Sequence, residues 1–257
     1  MATAGRVEYL AIPGVPRIEP GDDLAVVIRQ AMQAGGLSLQ TGDIVVIAQK
    51  IVSKAENRYV KLAEVQPSDA ARQLAAAVGK DPRFVEVVLG ESAEVVRHRP
   101  NIVITAHRLG FVMANAGIDQ SNIEHDDGEE RVLLLPRDPD GAARDLKAAI
   151  DAAFGVKIGV VINDSFGRAW RNGVVGVALG AAGVPSLKSQ IGVPDLFGRT
   201  LRVTEIAVAD EIAAGASLLM GQAGEGLPVV LVRGLKLSGP DQPAAALLRP
   251  KHQDMFR

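Results

Sequence analysis

The stretch Ile158-Gly-Val-Val-Ile-Asn163-Asp164-Ser165-Phe-Gly167-Arg168-Ala-Trp170-Arg171-Asn-Gly173 decides how the rest of the chain is read. Its first half is an unbroken apolar run, the mark of a strand buried on both faces. The run stops at Asn163-Asp164-Ser165, and two arginines, two glycines and the only tryptophan follow. The strand is expected to leave the core at that polar triplet. It would then bring a carboxylate, a hydroxyl and cationic forks to one place. α/β proteins build sites for metal-bound phosphate at such strand ends. An ordinary polar turn after a core strand has the same signature, so the neighbouring sequence has to decide.

Upstream, Asp22-Asp23 precede a helical pattern over 24–32 that stops at Gly35-Gly36. An apolar strand is expected over 43–48, running straight into Gln49-Lys50-Ile-Val-Ser53-Lys54. Ser68 opens a helix reaching Gly79, and Asp81-Pro82 opens another. Residues 102–106 and 111–114 read as paired strands around the turn 107–110. The acidic run 124–130 has no periodicity and reads as a solvated loop, with a cation site as the alternative. A short strand over 132–135 and a helix over 142–154 lead into the opening stretch.

Downstream, spaced glycines between Val174 and Ala182 (Gly176, Gly180) point to close backbone packing rather than a free loop. A loop over 191–199 should precede a strand near 201–208 and a helix from Asp210-Glu211 to Leu219. A glycine-rich loop and a strand over 228–232 come next. The tail 239–257 is weakly patterned and is expected to need a partner subunit to become ordered. Helices and strands mix without a strict βαβ rhythm, which argues for an α+β fold in two lobes within one unit, 1–257. The glycine-rich loop follows a helix and precedes a strand, so it is no Rossmann turn, and no G-x-x-x-x-G-K-[ST] phosphate loop occurs.

Composition narrows the function. The chain has 257 residues, 47% of them hydrophobic, and a formal net charge of -2. That balance gives no reason to expect a nucleic-acid or membrane-surface binder. No apolar run reaches the roughly 18 residues of a membrane span, and the first residues lack a secretory apolar region, so a cytoplasmic location is expected. Without cysteine there is no thiolate nucleophile, disulfide or cysteine-bound zinc, and the four histidines are scattered. Any bound metal should therefore sit among oxygen ligands, which favours magnesium, manganese or calcium.

Three constellations accompany Asp164. Asn115-Ala-Gly117-Ile-Asp119-Gln-Ser121-Asn122 packs polar groups into one turn, either a second carboxylate for a hard cation or a self-satisfied Asx turn. Lys50 and Lys54 stand four apart and hold phosphate if they start a helix; otherwise they are solvated lysines beside a strand. Met220-Gly221-Gln222-Ala223-Gly224-Glu225-Gly226-Leu227 leaves backbone N–H groups free to surround an anion, or is simply a helix C-cap.

Together, Asn115–Asn122, Asn163-Asp-Ser-Phe-Gly-Arg168, Arg171-Asn-Gly-Val-Val-Gly176, Ala209-Asp-Glu-Ile-Ala213 and Leu219-Met-Gly-Gln222 resemble the coenzyme F-420:L-glutamate ligase family, from near residue 8 to about 235. The resemblance implies GTP-dependent addition of L-glutamate to the deazaflavin precursor F-420-0, in a two-lobed homodimer. It implies that Asp119 and Asp164 hold a first divalent cation (Mg2+ or Mn2+) and that Ser165 and Gln222 hold a second, with a monovalent cation such as K+ also conceivable. It implies GTP contacts from Val15, Pro16, Arg17, Ile18, Gln49, Lys50, Lys54, Asn122 and the loop from Met220 to Leu227. Lys54, Asp119 and Asp164 would be the catalytic set. Arg168 and Arg171 are candidates for gripping the acceptor's phosphodiester or an incoming carboxylate, since arginine forks pair bidentately with such anions. The competing readings are a related nucleotide-dependent ligase acting on another acceptor, and a non-catalytic GTP-binding regulatory protein.

Overall fold

The computed structural model describes residues 5–124 and 129–255. The chain runs through β1 (Glu8–Ala11), α1 (Leu24–Ala34), β2 (Ile44–Ala48), α2 (Gln49–Ala55), β3 (Tyr59–Lys61), α3 (Asp69–Val78) and α4 (Pro82–Gly90). It continues with β4 (Ser92–Arg99), β5 (Ile102–His107), β6 (Val112–Ala114), β7 (Arg131–Leu133), α5 (Pro139–Phe154), β8 (Gly159–Gly167) and β9 (Val174–Ala182). The last elements are β10 (Leu187–Ser189), β11 (Glu205–Ala207), α6 (Val208–Met220) and β12 (Val229–Arg233).

Helices begin where capping groups stand. The Asp23 carboxylate accepts from the N–H groups of Ala25 and Val26, and Ser68, Asp81 and Asp138 cap α3, α4 and α5. Pro82 and Pro139 occupy first-turn positions, where no intrahelical N–H is required. Gly79 and Gly155 end α3 and α5 in the left-handed conformation.

The first lobe is a five-stranded sheet of order β1-β12-β2-β8-β9, antiparallel except for the parallel pair β2–β8. Both faces are covered, so its central strands are apolar on both sides. Val45, Ile47, Val160, Ile162, Val229 and Leu231 pack with α1 and α5; Ile44, Val46, Val161, Val230 and Val232 pack with α6. The glycines of β9 make this layering possible. A Cβ on Gly180 would overlap the Pro139 carbonyl at the start of α5, and one on Gly176 would overlap the Ala213 carbonyl of α6. Close backbone packing, expected from their spacing, is what they provide.

The second lobe joins the ladder β3–β7 to the antiparallel sheet β4-β5-β6, with α3 and α4 against them. Leu62, Phe84, Val88, Val132 and Leu134 form one of its cores, and Ala71, Ala75, Val78, Val85 and Val103 another. Between α4 and β5, the Glu91 carboxylate faces Arg58 at 3.1 Å, Arg108 at 3.2 Å and His107 at 3.4 Å. Burial opposes its ionisation, yet the close His107 imidazole, the bond from Arg108 and the charge of Arg58 prevail and hold its carboxyl at about 2.

Several expectations are corrected. β8 does not stop at Asn163; it continues to Gly167, paired with β9 throughout. What ends at Asn163 is its other neighbour, because β2 turns into α2 after the pair Ala48–Asn163. The polar triplet therefore marks the loss of an adjacent strand. Residues 201–204 do not extend β11. They bond back onto residues 190–193 through Gly192 N to Leu201 O and Gln190 N to Thr204 O, forming a projecting arm. The helix begins at Val208, two residues before the acidic pair. β1, β3, β4 and β10 were not anticipated; β4 carries Glu94, Arg97, His98 and Arg99, a polar pattern suited to a largely exposed edge.

The C-terminal tail, expected to need a partner subunit, is tied down by contacts with its own chain. Asp140 accepts from the N–H groups of Ala244 and Ala245 as well as Ala181, while Asp241 accepts from Gly183 N. Leu248 reaches Gly110 and packs with Phe111 and Met113 of the second lobe. Of the acidic stretch 124–130, residues 125–128 lie outside the described residues. Glu124, Glu129 and Glu130 meet Arg17, Lys61 and Arg83.

Candidate active site

Where β2 departs, one edge of β8 opens onto a cleft of about 760 Å³ between the lobes. Asp164 and Ser165 stand on that edge. Opposite them, Asn115, Ala116 and Gly117 turn the chain through three successive left-handed residues, and Asp119 then pairs backbone to backbone with Leu133. This fixes the Asp119 carboxylate against α2. The Gln49 side-chain amide donates to it at 2.8 Å and Lys50 Nζ lies 3.3 Å from it, while Ser53 Oγ donates to Gln49 Oε1 at 2.9 Å. Lys50 also reaches the Ser121 carbonyl at 3.2 Å.

The third wall is the loop after α6. Ser165 Oγ donates to Gln222 Oε1 at 2.7 Å, and Asn122 Nδ2 donates to the Ala223 carbonyl at 2.8 Å. Asn163, almost fully buried, donates to Ser217 Oγ at 3.0 Å and so ties β8 to α6, while its own Oδ1 has no partner.

Electrostatics follow from this crowding. Burial, reinforced by the charge of Asp119, pushes the Asp164 carboxyl up to about 7, against the opposing bond from Ser165 N and the charge of Lys50. Burial also raises Asp119, opposed by Lys50 and Gln49. Burial lowers the Lys54 ammonium, which Glu124 counteracts. Two carboxylates with one close ammonium make a site short of positive charge.

Those groups fit a hard cation. Asp119, Asp164, Ser165 and Gln222 present only oxygen donors, as Mg2+ or Mn2+ prefers. Among the described residues no three His, Cys, Asp or Glu side chains converge. A cation here would thus complete its shell with hydroxyl, amide, water or phosphate oxygens, which is usual for magnesium at phosphates.

The cleft gathers most residues singled out in the sequence. Val15, Pro16, Arg17, Gln49, Lys50, Lys54, Asp119, Asn122, Asp164 and Ser165 line it, as do Met220, Gly221, Gln222, Ala223, Gly224, Gly226 and Leu227. Four stand apart. Ile18 is in the core with α1, and Glu225 is absent from the lining. Arg168 and Arg171 sit at the exposed tip between β8 and β9, where Arg168 donates to the Gly173 carbonyl at 3.3 Å. Ser121, Glu124, Asn163 and Val174 also line the cleft without having been assigned to it. For Asn163 the signal was available: a polar amide inside an apolar strand.

Scaffold and comparisons together define the class: this is a ligase that forms amide bonds. A match to F420-0:Gamma-glutamyl ligase spans residues 14–234. Over 256 residues the chain is 46% identical to the coenzyme F420:L-glutamate ligase of Methanothermobacter thermautotrophicus, covering 98% of this chain and 99% of that protein. It is 44% identical to the same-named protein of Methanopyrus kandleri, covering 98% of this chain and all of the relative. That of Archaeoglobus fulgidus is also 44% identical, with 98% and 97% covered. The chain belongs to the F420-0:gamma-glutamyl ligase family. Among the described residues no helix is long and apolar enough to cross a membrane.

Proposed function

We propose that this protein joins L-glutamate to the deazaflavin precursor F-420-0, consuming GTP. The observation that carries the reading is the meeting of Asp119 and Asp164, from opposite lobes, in a cleft walled by a glycine-rich loop and two lysines. Amide formation needs an unreactive carboxylate made electrophilic. In this reading, the acceptor's carboxylate oxygen attacks the γ-phosphorus of GTP. The bond to GDP breaks and an acyl phosphate forms. The glutamate amine then attacks the acyl carbon, phosphate departs with the C–O electrons, and the amine loses a proton.

This chain's residues bind and orient. Lys50 and Lys54 bring ammonium groups to the phosphates, and Gly224 and Gly226, whose N–H groups do not serve the Glu225 carboxylate, offer backbone donors to their oxygens. Gln49 and Lys50 hold Asp119 in place. Asp119 and Asp164 would hold one divalent cation, and Ser165 and Gln222 a second. Such cations supply the charge that phosphoryl transfer requires. Enclosure between the lobes limits hydrolysis of the activated carboxyl.

The same reading pairs two copies of the chain. On the 190–204 arm, Leu196 and Phe197 are 97% and 95% exposed and Val203 is 85% exposed. Apolar surface of that kind is normally covered, and a second copy covers it through a symmetric contact.

The test is a mass measurement after incubation with GTP, Mg2+, L-glutamate and F-420-0. The expected product is heavier by one or more glutamate residues, with GDP released, and Asp164→Asn yields none. An Asp164→Asn protein as active as wild type would remove the carboxylate pair from the chemistry. Full activity after chelation would remove the cations.

A further inference from the structure

Between Met220 and Leu227, Glu225 is the residue that does not line the cleft. Its side chain folds back onto the loop's own backbone instead. Oε2 accepts from Ala223 N at 2.8 Å, and the carboxyl covers the bare α-carbon of Gly221, where a Cβ would overlap it. Gly221 is left-handed, with φ 71°, so a glycine is needed there for conformation as well as for space.

On the cleft side the same loop is tied at two points, Gln222 to Ser165 and Ala223 to Asn122. Three of its six residues from 221 to 226 are glycine. Glycine loses the most backbone freedom on ordering, so such a loop costs much to fix when a ligand arrives. A carboxylate that fixes it beforehand removes that cost from binding. Backbone N–H groups of Glu225 itself, Ala223 and Gln222 hold this carboxyl below the ordinary range, in keeping with an ionised acceptor.

We propose that Glu225 is a positioning residue that braces the 221–226 loop through its own backbone and keeps its cleft face shaped for nucleotide phosphate. The proposal rests on the nucleotide reading above and adds to it a residue that touches no ligand. Glu225 acts on nucleotide affinity and leaves the transfer step alone.

The experiment compares wild type, Glu225→Ala and Glu225→Gln. It measures GDP binding by calorimetry, steady-state kinetics, thermal midpoint, and amide exchange over residues 220–227. Glu225→Ala should weaken GDP binding and raise KM for GTP by roughly five- to ten-fold, as loss of a charge-assisted bond would. Its kcat, KM for glutamate and thermal midpoint should match wild type, and exchange in the loop should accelerate. Glu225→Gln keeps an acceptor oxygen for Ala223 N and should restore most of the affinity. The brace is overturned if loop exchange and GDP affinity are unchanged in Glu225→Ala, or if kcat falls while affinity holds. Wild-type protein that binds no GDP would sink the nucleotide reading, and the exchange comparison would still decide whether Glu225 orders the loop.

Discussion

The charge cluster around Glu91 makes a quantitative prediction about stability. Its carboxyl is held at about 2 against an ordinary 4.5. At about 1.4 kcal/mol per unit of pKa, that difference stabilises the folded chain by roughly 3 kcal/mol at neutral pH. The sign follows from the direction. A carboxyl with a depressed folded pKa contributes fully above its unfolded value. The contribution fades as pH falls from about 4.5 towards 2. Glu91→Gln removes the charge while keeping the shape, and leaves Arg58 and Arg108 without their shared carboxylate. The imidazole sharpens the point, because His107 Nδ1 accepts from Leu109 N at 2.9 Å and Nε2 therefore faces Glu91. Urea unfolding of both proteins at pH 6 and pH 3 is the assay. The gap between wild type and Glu91→Gln should narrow by about 2 kcal/mol over that interval. A gap independent of pH would show that Glu91 contributes through packing, and the electrostatic account of the cluster would fail.

Other outcomes follow from the packing. Gly180→Ala should lower the urea midpoint by the equivalent of about 2 kcal/mol or more, because a backbone carbonyl occupies the space. Gly167→Ala, with nothing within 4 Å of the added carbon, is the control, and equal effects would refute the close-packing argument. Replacing Leu196 and Phe197 together by serine should convert a dimer to a monomer in light scattering, and a wild-type monomer would refute the pairing. Truncation after residue 238 uncovers the surfaces under Ala244, Leu247 and Leu248 and should lower the melting temperature by about 6 °C or more. An unchanged melting temperature would mean the tail adds nothing to the fold.

Local signals in the chain were readable to different depths. Asp23, Ser68, Asp81 and Asp138 announce helices because a cap acts on N–H groups two or three residues away. The central strands announce themselves because both faces are buried, which leaves an apolar run. β4 gave no such run, since most of its side chains face water. Residues 201–204 look strand-like because Leu201 is apolar and Val203 and Thr204 are β-branched, yet the chain bends at 202–203 and its partner is the arm and not the core. Ile18 and Glu225 show the limit of reading a site from adjacency. Ile18 follows three cleft residues but turns into the core, and Glu225 sits among cleft residues but folds onto the loop backbone.

By itself the sequence determined most helices with their caps, the central strands, the glycines that let helices lie against β9, and the two polar segments carrying Asp119 and Asp164. Each rests on forces acting within a few residues of chain. Only the tertiary structure decided that these segments face one another. Asp119 comes from the second lobe and Asp164 from the first, and they meet because β2 leaves the sheet at Ala48 and opens the edge of β8. The charge state of the pair was decided there too. An aspartate pushed up to about 7 owes that value to burial and to a neighbour 45 positions away in sequence, which no local pattern encodes.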